Sequence, residues 1–437
     1  MNPARPLPLR GVRAPLATFA AVAVATLATA LFVNPAFSQV GPPRAPATPP
    51  PAAAPAPRPP AAAPGGAPAP VPVSGLGAPL TGLTNDQLAA FIDGREDFRQ
   101  AETPATGLGP IFNDVSCVAC HNAGGVGGAG RQTVTRFGRF DGARFDPLAT
   151  LGGSLLQDRA IAGVPREIVP TAANVVARRV TTPLFGAGLI EAIPDATIAA
   201  GAARPKPAGI RGRVATLLDP VSGRSRVGRF GWKAQHATLL AFSADAYLNE
   251  MGLTNRLFPT ENAPNGNQAV IARFVRPGVV DDVPDPTTGE ADIDRVANFM
   301  RLLAPPPARP ATASSRAGQQ LFAALNCADC HTPSLTTGAN AIPSLSEKAV
   351  PLYSDLLLHD MGSLGDGIEQ GAATRTEMRT APLWGLAARP TWLHDGRANT
   401  VDQAIRAHDG EARSSRDRYN QLTAAQRQQL LDFLHTL

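Results

Sequence analysis

Cysteine is almost absent from this chain: there are only four among 437 residues, alongside seven histidines and five methionines. So few thiols exclude a disulfide-stapled scaffold. Scarce histidine and methionine let each potential metal ligand be followed individually. No methionine stands between Met1 and Met251, and no histidine between His121 and His236. Beyond residue 38 no apolar run is long enough to span a bilayer. The formal charge of +5 includes Arg5, Arg10 and Arg13 near the start. The remainder is only mildly basic and offers no electrostatic footprint for nucleic acid.

The cysteines that are present fall into two identical frames, Cys117-Val118-Ala119-Cys120-His121 and Cys327-Ala328-Asp329-Cys330-His331. C-x-x-C-H is the attachment signature of c-type haem: the thiols add across the two vinyl groups, and the adjacent histidine ligates iron. Two redox dithiols, or one zinc site built from all four thiolates, are the competing readings. A histidine directly after both pairs, with no cysteine left over, favours two covalently bound haem c groups. His121 and His331 are then the proximal ligands.

Attachment of that kind takes place outside the cytoplasm, and the N-terminus reads as an export signal. A basic start leads into the apolar run Leu16 to Val33, and Ala36-Phe37-Ser38 is a small-x-small cleavage site. The expectation is a signal peptide at 1–38 and a periplasmic protein, with a retained N-terminal membrane anchor as the alternative. Residues 39–78 are dominated by Pro and Ala and form a disordered linker.

Two haem-bearing units are expected, at 79–304 and 305–437. The first opens with a capping pair, Thr84 and Gln87, before Leu88, Phe91 and Ile92 at helical spacing. Hairpin-like patterns follow at Thr133–Asp146 and Arg213–Phe230, the latter turning at Asp219-Pro220-Val221-Ser222-Gly223. An amphipathic helix from Asp292 to Leu303 carries Ile293, Val296, Phe299 and Met300, and Pro305-Pro306-Pro307 stops it. The second unit starts at a Ser314 or Ser315 cap and closes with a helix behind Thr423 and Gln426. A helix before C-x-x-C-H and a closing helix at the end resemble the cytochrome c fold. The fold expected is mainly α, with two cytochrome c-like haem domains and a large insertion with short β-hairpins in the first. Arg179-Val180-Thr181-Thr182-Pro183-Leu184-Phe185-Gly186 echoes Arg379-Thr380-Ala381-Pro382-Leu383-Trp384-Gly385, which points to duplication.

Leu393-His394-Asp395-Gly396-Arg397-Ala398, then Thr400 to Ile405 and His408, resembles the second-domain signature of bacterial di-haem cytochrome c peroxidases and MauG-type enzymes. Over most of residues 80 to 437 the chain is similar to the di-haem oxidoreductase branch of that superfamily. The resemblance implies a sixth iron ligand fourteen residues after His394. That ligand is Met in the peroxidases and Tyr in the MauG type; here it is His408. His359 and Met361 compete for the role, His394 would orient the turn, His236 is a weaker candidate, and His435 would lie on the surface.

Further implications concern the first haem. With no histidine available in the interval where many relatives hold a removable one, that haem would be open. Glu250-Met251 resembles the family's Glu-Met pair, in which the Glu relays a proton for peroxide cleavage. The companion distal Gln is not recognisable, since Leu240 stands ten residues before Glu250. Trp232, or Phe230, matches the aromatic between the haems. At the interdomain calcium site Arg389 and Thr391 replace the family's pattern, which leaves calcium open. The expected function is an exported di-haem c-type oxidoreductase of peroxidase type. It would act on hydrogen peroxide or another small molecule and be supplied by a small redox protein or a quinol-linked donor. A plain electron-transfer cytochrome and a haem dioxygenase of an apolar substrate are the alternatives.

Overall fold

Two pairs of crossing helices flank the two cysteine motifs. The computed structural model describes residues 69–70, 75–207, 209–275 and 278–437. The expected leader at 1–38 and most of the Pro/Ala-rich segment at 39–78 lie outside the described residues. The first helix, Asn85–Arg99, starts as its capping pair predicts: Gln87 N donates to Thr84 Oγ1 (3.2 Å) and Thr84 N to Gln87 Oε1 (3.0 Å). Its inward face differs from the expected stripe. Phe91, Gly94 and Phe98 are buried, whereas Leu88 and Ile92 are each 40% exposed. The cause is the approach of its partner. A Cβ on Gly94 would stand 2.0 Å from the carbonyl oxygen of Arg295, so the Asp292–Leu302 helix meets bare backbone there. The Phe299 ring then packs between Phe98 (4.9 Å) and Phe91 (5.2 Å).

The second pair repeats this contact. A Cβ on Gly318, in the helix Ala313–Ala324, would lie 1.9 Å from the carbonyl of Gln429 in the helix Ala424–Leu434. Phe322 and Phe433 pack at 5.3 Å. In both pairs the leading helix carries Gly-x-x-x-Phe, and the closing helix puts its Phe four residues after the touching carbonyl. One cap differs from expectation. Thr312, not Ser314 or Ser315, caps the second leading helix, because Ser315 sits one turn in and exchanges bonds with it (3.0 and 2.8 Å).

The remainder holds further helices and small, mostly antiparallel sheets. Thr133–Phe140 pairs with Phe145–Asp146 on one side and Val175–Val180 on the other, in a register that sets Val134 opposite Arg179 and Arg136 opposite Ala177. Thr216–Asp219 and Arg224–Val227 form the expected hairpin, and Leu358–Asp360 pairs with Glu377–Arg379. The larger core joins Phe91, Phe98 and Phe299 to Leu352, Leu356, Leu357 and Trp384, on the far side of the Pro305–Pro307 break. Each such side chain contributes roughly 1.5–3 kcal/mol when fully buried. Among the described residues no helix is long and apolar enough to cross a membrane.

Candidate functional site

Each cysteine pair opens into its own cavity, so the four thiols do not converge on one site. In both motifs the histidine N–H donates to the carbonyl of the first cysteine at 2.9 Å, a single turn that brings thiols and imidazole to one rim. Ser116 caps the first turn by accepting from Ala119 N. Asn326, in the left-handed region at φ 64°, starts the second. Burial pushes the Cys117, Cys120 and Cys327 thiols up to about 12.

The first cavity, about 170 Å³, has His121 as its only imidazole. Phe98 packs edge-on against that ring at 5.9 Å, and burial lowers His121 to about 4. Facing it is one side of the helix Leu239–Met251, where Phe242, Ser243, Ala246, Tyr247 and Glu250 recur at three- and four-residue steps. The end of this helix is fixed tightly. Gly252 takes φ 69° as its cap, and the Glu250 and Met251 carbonyls accept from Asn113 N (2.8 Å) and Gly109 N (3.0 Å). Asn113 Nδ2 also donates to Glu250 Oε2 at 2.7 Å, which holds the carboxyl in the cavity. Burial raises the Glu250 carboxyl above its ordinary range, against the opposing pull of Asn113 and the Arg136 charge. Arg136 and Arg179 enter from the same face of the sheet. Arg179 is held by Asp366 at 2.7 Å, whereas Arg136 reaches only Ser154 Oγ, at 3.3 Å. For Asp245 burial works upward, but His236 (3.3 Å) and Arg136 draw it below its ordinary value.

The second cavity, about 200 Å³, is lined by His331 and His408 together. His331 Nδ1 is engaged by the Tyr353 carbonyl at 3.0 Å and His408 Nδ1 by the Ala404 carbonyl at 2.8 Å, so each ring keeps Nε2 free. Burial, then the neighbouring His408, lowers His331 to about 4. His359 lines the same cavity but has neither ring nitrogen free. Nε2 meets Asp355 (3.0 Å) and Nδ1 meets Glu411 (2.7 Å), and Lys206 reaches Asp355 as well (2.8 Å). Burial opposes a charge on His359, yet Asp355, the Cys330 sulfur (3.6 Å) and Glu411 raise it to about 12. It is a buried cation, not a free ligand. Met361 also lines this cavity.

Trp232 lines both cavities; its Nε1 donates to the Val180 carbonyl (2.9 Å) and its ring meets His394 edge-on at 6.3 Å. Phe230 lines only the crevice beside them. His394 holds its turn through a carbonyl that accepts from Val180 N (2.7 Å), flanked by Leu393 and Gly396 at φ 71° and 72°. His236 lines neither cavity, and His435 is exposed. Arg136, Asp245 and Gln235 also line the first cavity and were not singled out from the sequence. Gln235 stands fifteen residues before Glu250, not ten, and follows a loop whose length pattern alone does not reveal. The Phe242–Glu250 stripe was a readable signal for the helix face. A lone Arg on a strand carried none.

Three comparisons bear on this arrangement. No curated protein matches the chain. Among solved structures, hydrazine synthase of Kuenenia stuttgartiensis is 15% identical (TM-score 0.38, covering 91% of this chain and 100% of that one). A variant of the diheme peroxidase BthA from Burkholderia thailandensis is 16% identical (TM-score 0.38, 81% and 86%). A MauG-like protein associated with microbial copper homeostasis is 16% identical (TM-score 0.28, 63% and 93%). Such scores do not extend to shared chemistry. The family model described as "Di-haem oxidoreductase, putative peroxidase" matches residues 171–437. The match takes in the second cysteine motif, Trp232, Glu250 and His408, and begins after Cys117–His121. Matched over more than half of its length, the chain belongs to this di-haem oxidoreductase family.

Proposed function

We propose that the protein is an exported, periplasmic di-haem c-type oxidoreductase that reduces hydrogen peroxide or a similar small peroxide at the first cavity and passes electrons through the second. Cys117, Cys120 and His121 would hold one haem, and Cys327, Cys330, His331 and His408 the other. The donor sets fit these groups: each is a thiol pair and an adjacent histidine on the rim of a largely apolar cavity, and among the described residues no three His, Cys, Asp or Glu side chains are grouped as a zinc site would need. Haem supplies redox-active iron there.

The observation that carries the reading is the contrast in what shares each cavity with the motif histidine. His331 shares its cavity with a second imidazole that would be free to hold iron, whereas His121 shares its cavity with a buried carboxyl. Ionised Glu250 can accept the proton from the near oxygen of a bound peroxide and return it to the far oxygen, which then leaves as water. Overall, one peroxide, two protons and two electrons give two waters. Asn113 holds the carboxyl, and the enclosed cavity keeps bulk water from competing. The electrons come from a small redox protein or a quinol-linked donor, and Trp232 stands where they would cross. General acid–base help of this kind is worth about 10²–10⁴-fold.

The test is turnover of hydrogen peroxide by purified holoprotein with reduced donor proteins, together with cyanide binding to the ferric form. The expected result is catalytic peroxide consumption and one cyanide per chain without prior reduction. Two haems that both refuse cyanide, with no turnover, would leave a plain electron-transfer cytochrome.

A further inference from the structure

Most of the enclosed cations have an acid beside them. Arg179 and Lys233 share Asp366 (2.7 and 3.0 Å), Lys206 has Asp355 (2.8 Å), and Arg229 has Asp195. Arg136 is bonded to no acid among the described residues but shares its cavity with Glu250 and Asp245; Arg379 and Arg389 lack even that. Arg379 gives its Nε to the Gly231 carbonyl (2.8 Å) and Nη1 to the Thr380 carbonyl (3.1 Å). Arg389 gives Nη2 to the Pro382 carbonyl, and its Nε is buried without a partner. Two further buried donors close by, Thr391 Oγ1 and Trp392 Nε1, are also unpartnered. Among the described residues no carboxylate pairs with either arginine. Burial, joined for Arg379 by the charge of Arg389, lowers both to about 10. Both line the second cavity and the crevice that runs past Trp232 toward the first.

Two buried guanidiniums side by side, with spare donors and no acid, are a costly arrangement unless an anion completes it. We propose that Arg379 and Arg389, with Trp392, form the seat for the carboxylate arms of the second haem. This deepens the reading above and rests on the second cavity holding its haem. A haem carries two carboxylates, and guanidinium is the side chain whose fork matches them. The charge is built into the chain, so no metal ion is needed at this place. Fixed positive charge beside the second haem favours its reduced state, against the lowering effect of two imidazole ligands.

Redox titration of the holoprotein tests the assignment. In Arg389→Gln and Arg379→Gln the low-spin haem becomes harder to reduce, its reduction equilibrium falling tenfold or more, which is 59 mV for one electron. The other haem moves less, Arg389→Lys keeps most of the wild-type potential, and a chelator changes nothing. Resonance Raman on the wild type covers the case in which the variants fail to fold. The carboxylate-bending band of the second haem should stay fixed from mildly acidic to mildly alkaline pH. A band that titrates like a solvent-exposed acid overturns the proposal. So does an unchanged potential in Arg389→Gln with both haems retained, or a wild-type potential that follows added phosphate or calcium. None of these measurements uses peroxide, so an inactive peroxidase would leave the outcome intact.

Discussion

The charged groups around His121 include the carboxyls Glu250 and Asp245 with Arg136 and Arg179, whereas around His331 stand three further histidines, His359, His394 and His408, with Arg379 and Arg389. The frames that carry these contents are alike: the same Gly-to-carbonyl helix crossing, the same Phe pairing, and the same turn from cysteine to histidine. On the proposed two-haem reading, the frame that would hold each prosthetic group is shared between the halves and the rest of the cavity lining diverges. In one half that lining supplies ionisable groups able to move protons. In the other it supplies a second imidazole and isolated guanidiniums. Function is therefore to be sought in what differs between the halves.

The sharpest way to break the comparison is to remove one frame. Cys117→Ala with Cys120→Ala should leave one covalent haem where the wild type shows two by mass spectrometry, with the spectrum of the second haem intact. Zinc in place of haem would end the two-haem reading. His408→Ala should make the second cavity resemble the first: the low-spin electron paramagnetic resonance signal gives way to a high-spin one, and a second equivalent of cyanide binds. An unchanged low-spin signal would transfer the ligand role to Met361.

Glu250→Gln tests the contents rather than the frame. Peroxide cleavage should slow by about 10²–10⁴-fold with haem content and cyanide binding retained. The pH profile adds a sign. The carboxyl must be ionised to accept a proton, and burial favours its protonated form. Wild-type activity should therefore fall with decreasing pH at values above those of an ordinary glutamate, and the variant should lack that limb. A limb that survives would remove Glu250 from the mechanism. Smallest in effect, Gly94→Ala and Gly318→Ala should each destabilise by ~1–3 kcal/mol, because the added methyl meets a backbone carbonyl. Since one core spans both sides of Pro305–Pro307, thermal unfolding of either variant should remain a single transition. Two separate transitions would show that the halves fold independently.

How much of this was legible followed the range of the interactions. The cysteine frames, the Thr84 and Thr423 caps and the Asp219–Gly223 turn depend on residues within a few positions, and each could be read in place. Leu88 and Ile92 looked like core by periodicity, but the crossing at Gly94 turned the helix so that Phe91 and Phe98 face inward. His359 read as a candidate ligand because its neighbours gave no warning of Glu411, which is remote in sequence. Arg136 and Arg379 carried no local signal at all. What matters for them is which acids are near or missing, and tertiary packing alone decides that.

The depth of the thiols bears on the order of assembly. Thioether formation requires a nucleophilic sulfur, and in the folded chain burial leaves Cys117, Cys120 and Cys327 almost wholly protonated at neutral pH. On the proposed attachment, the upward shift favours haem joining the polypeptide before the crossing helices close, when the thiols stand in water and a larger share is thiolate. Haem added after folding would be extractable by acidic solvent, whereas haem attached before closure would stay with the chain.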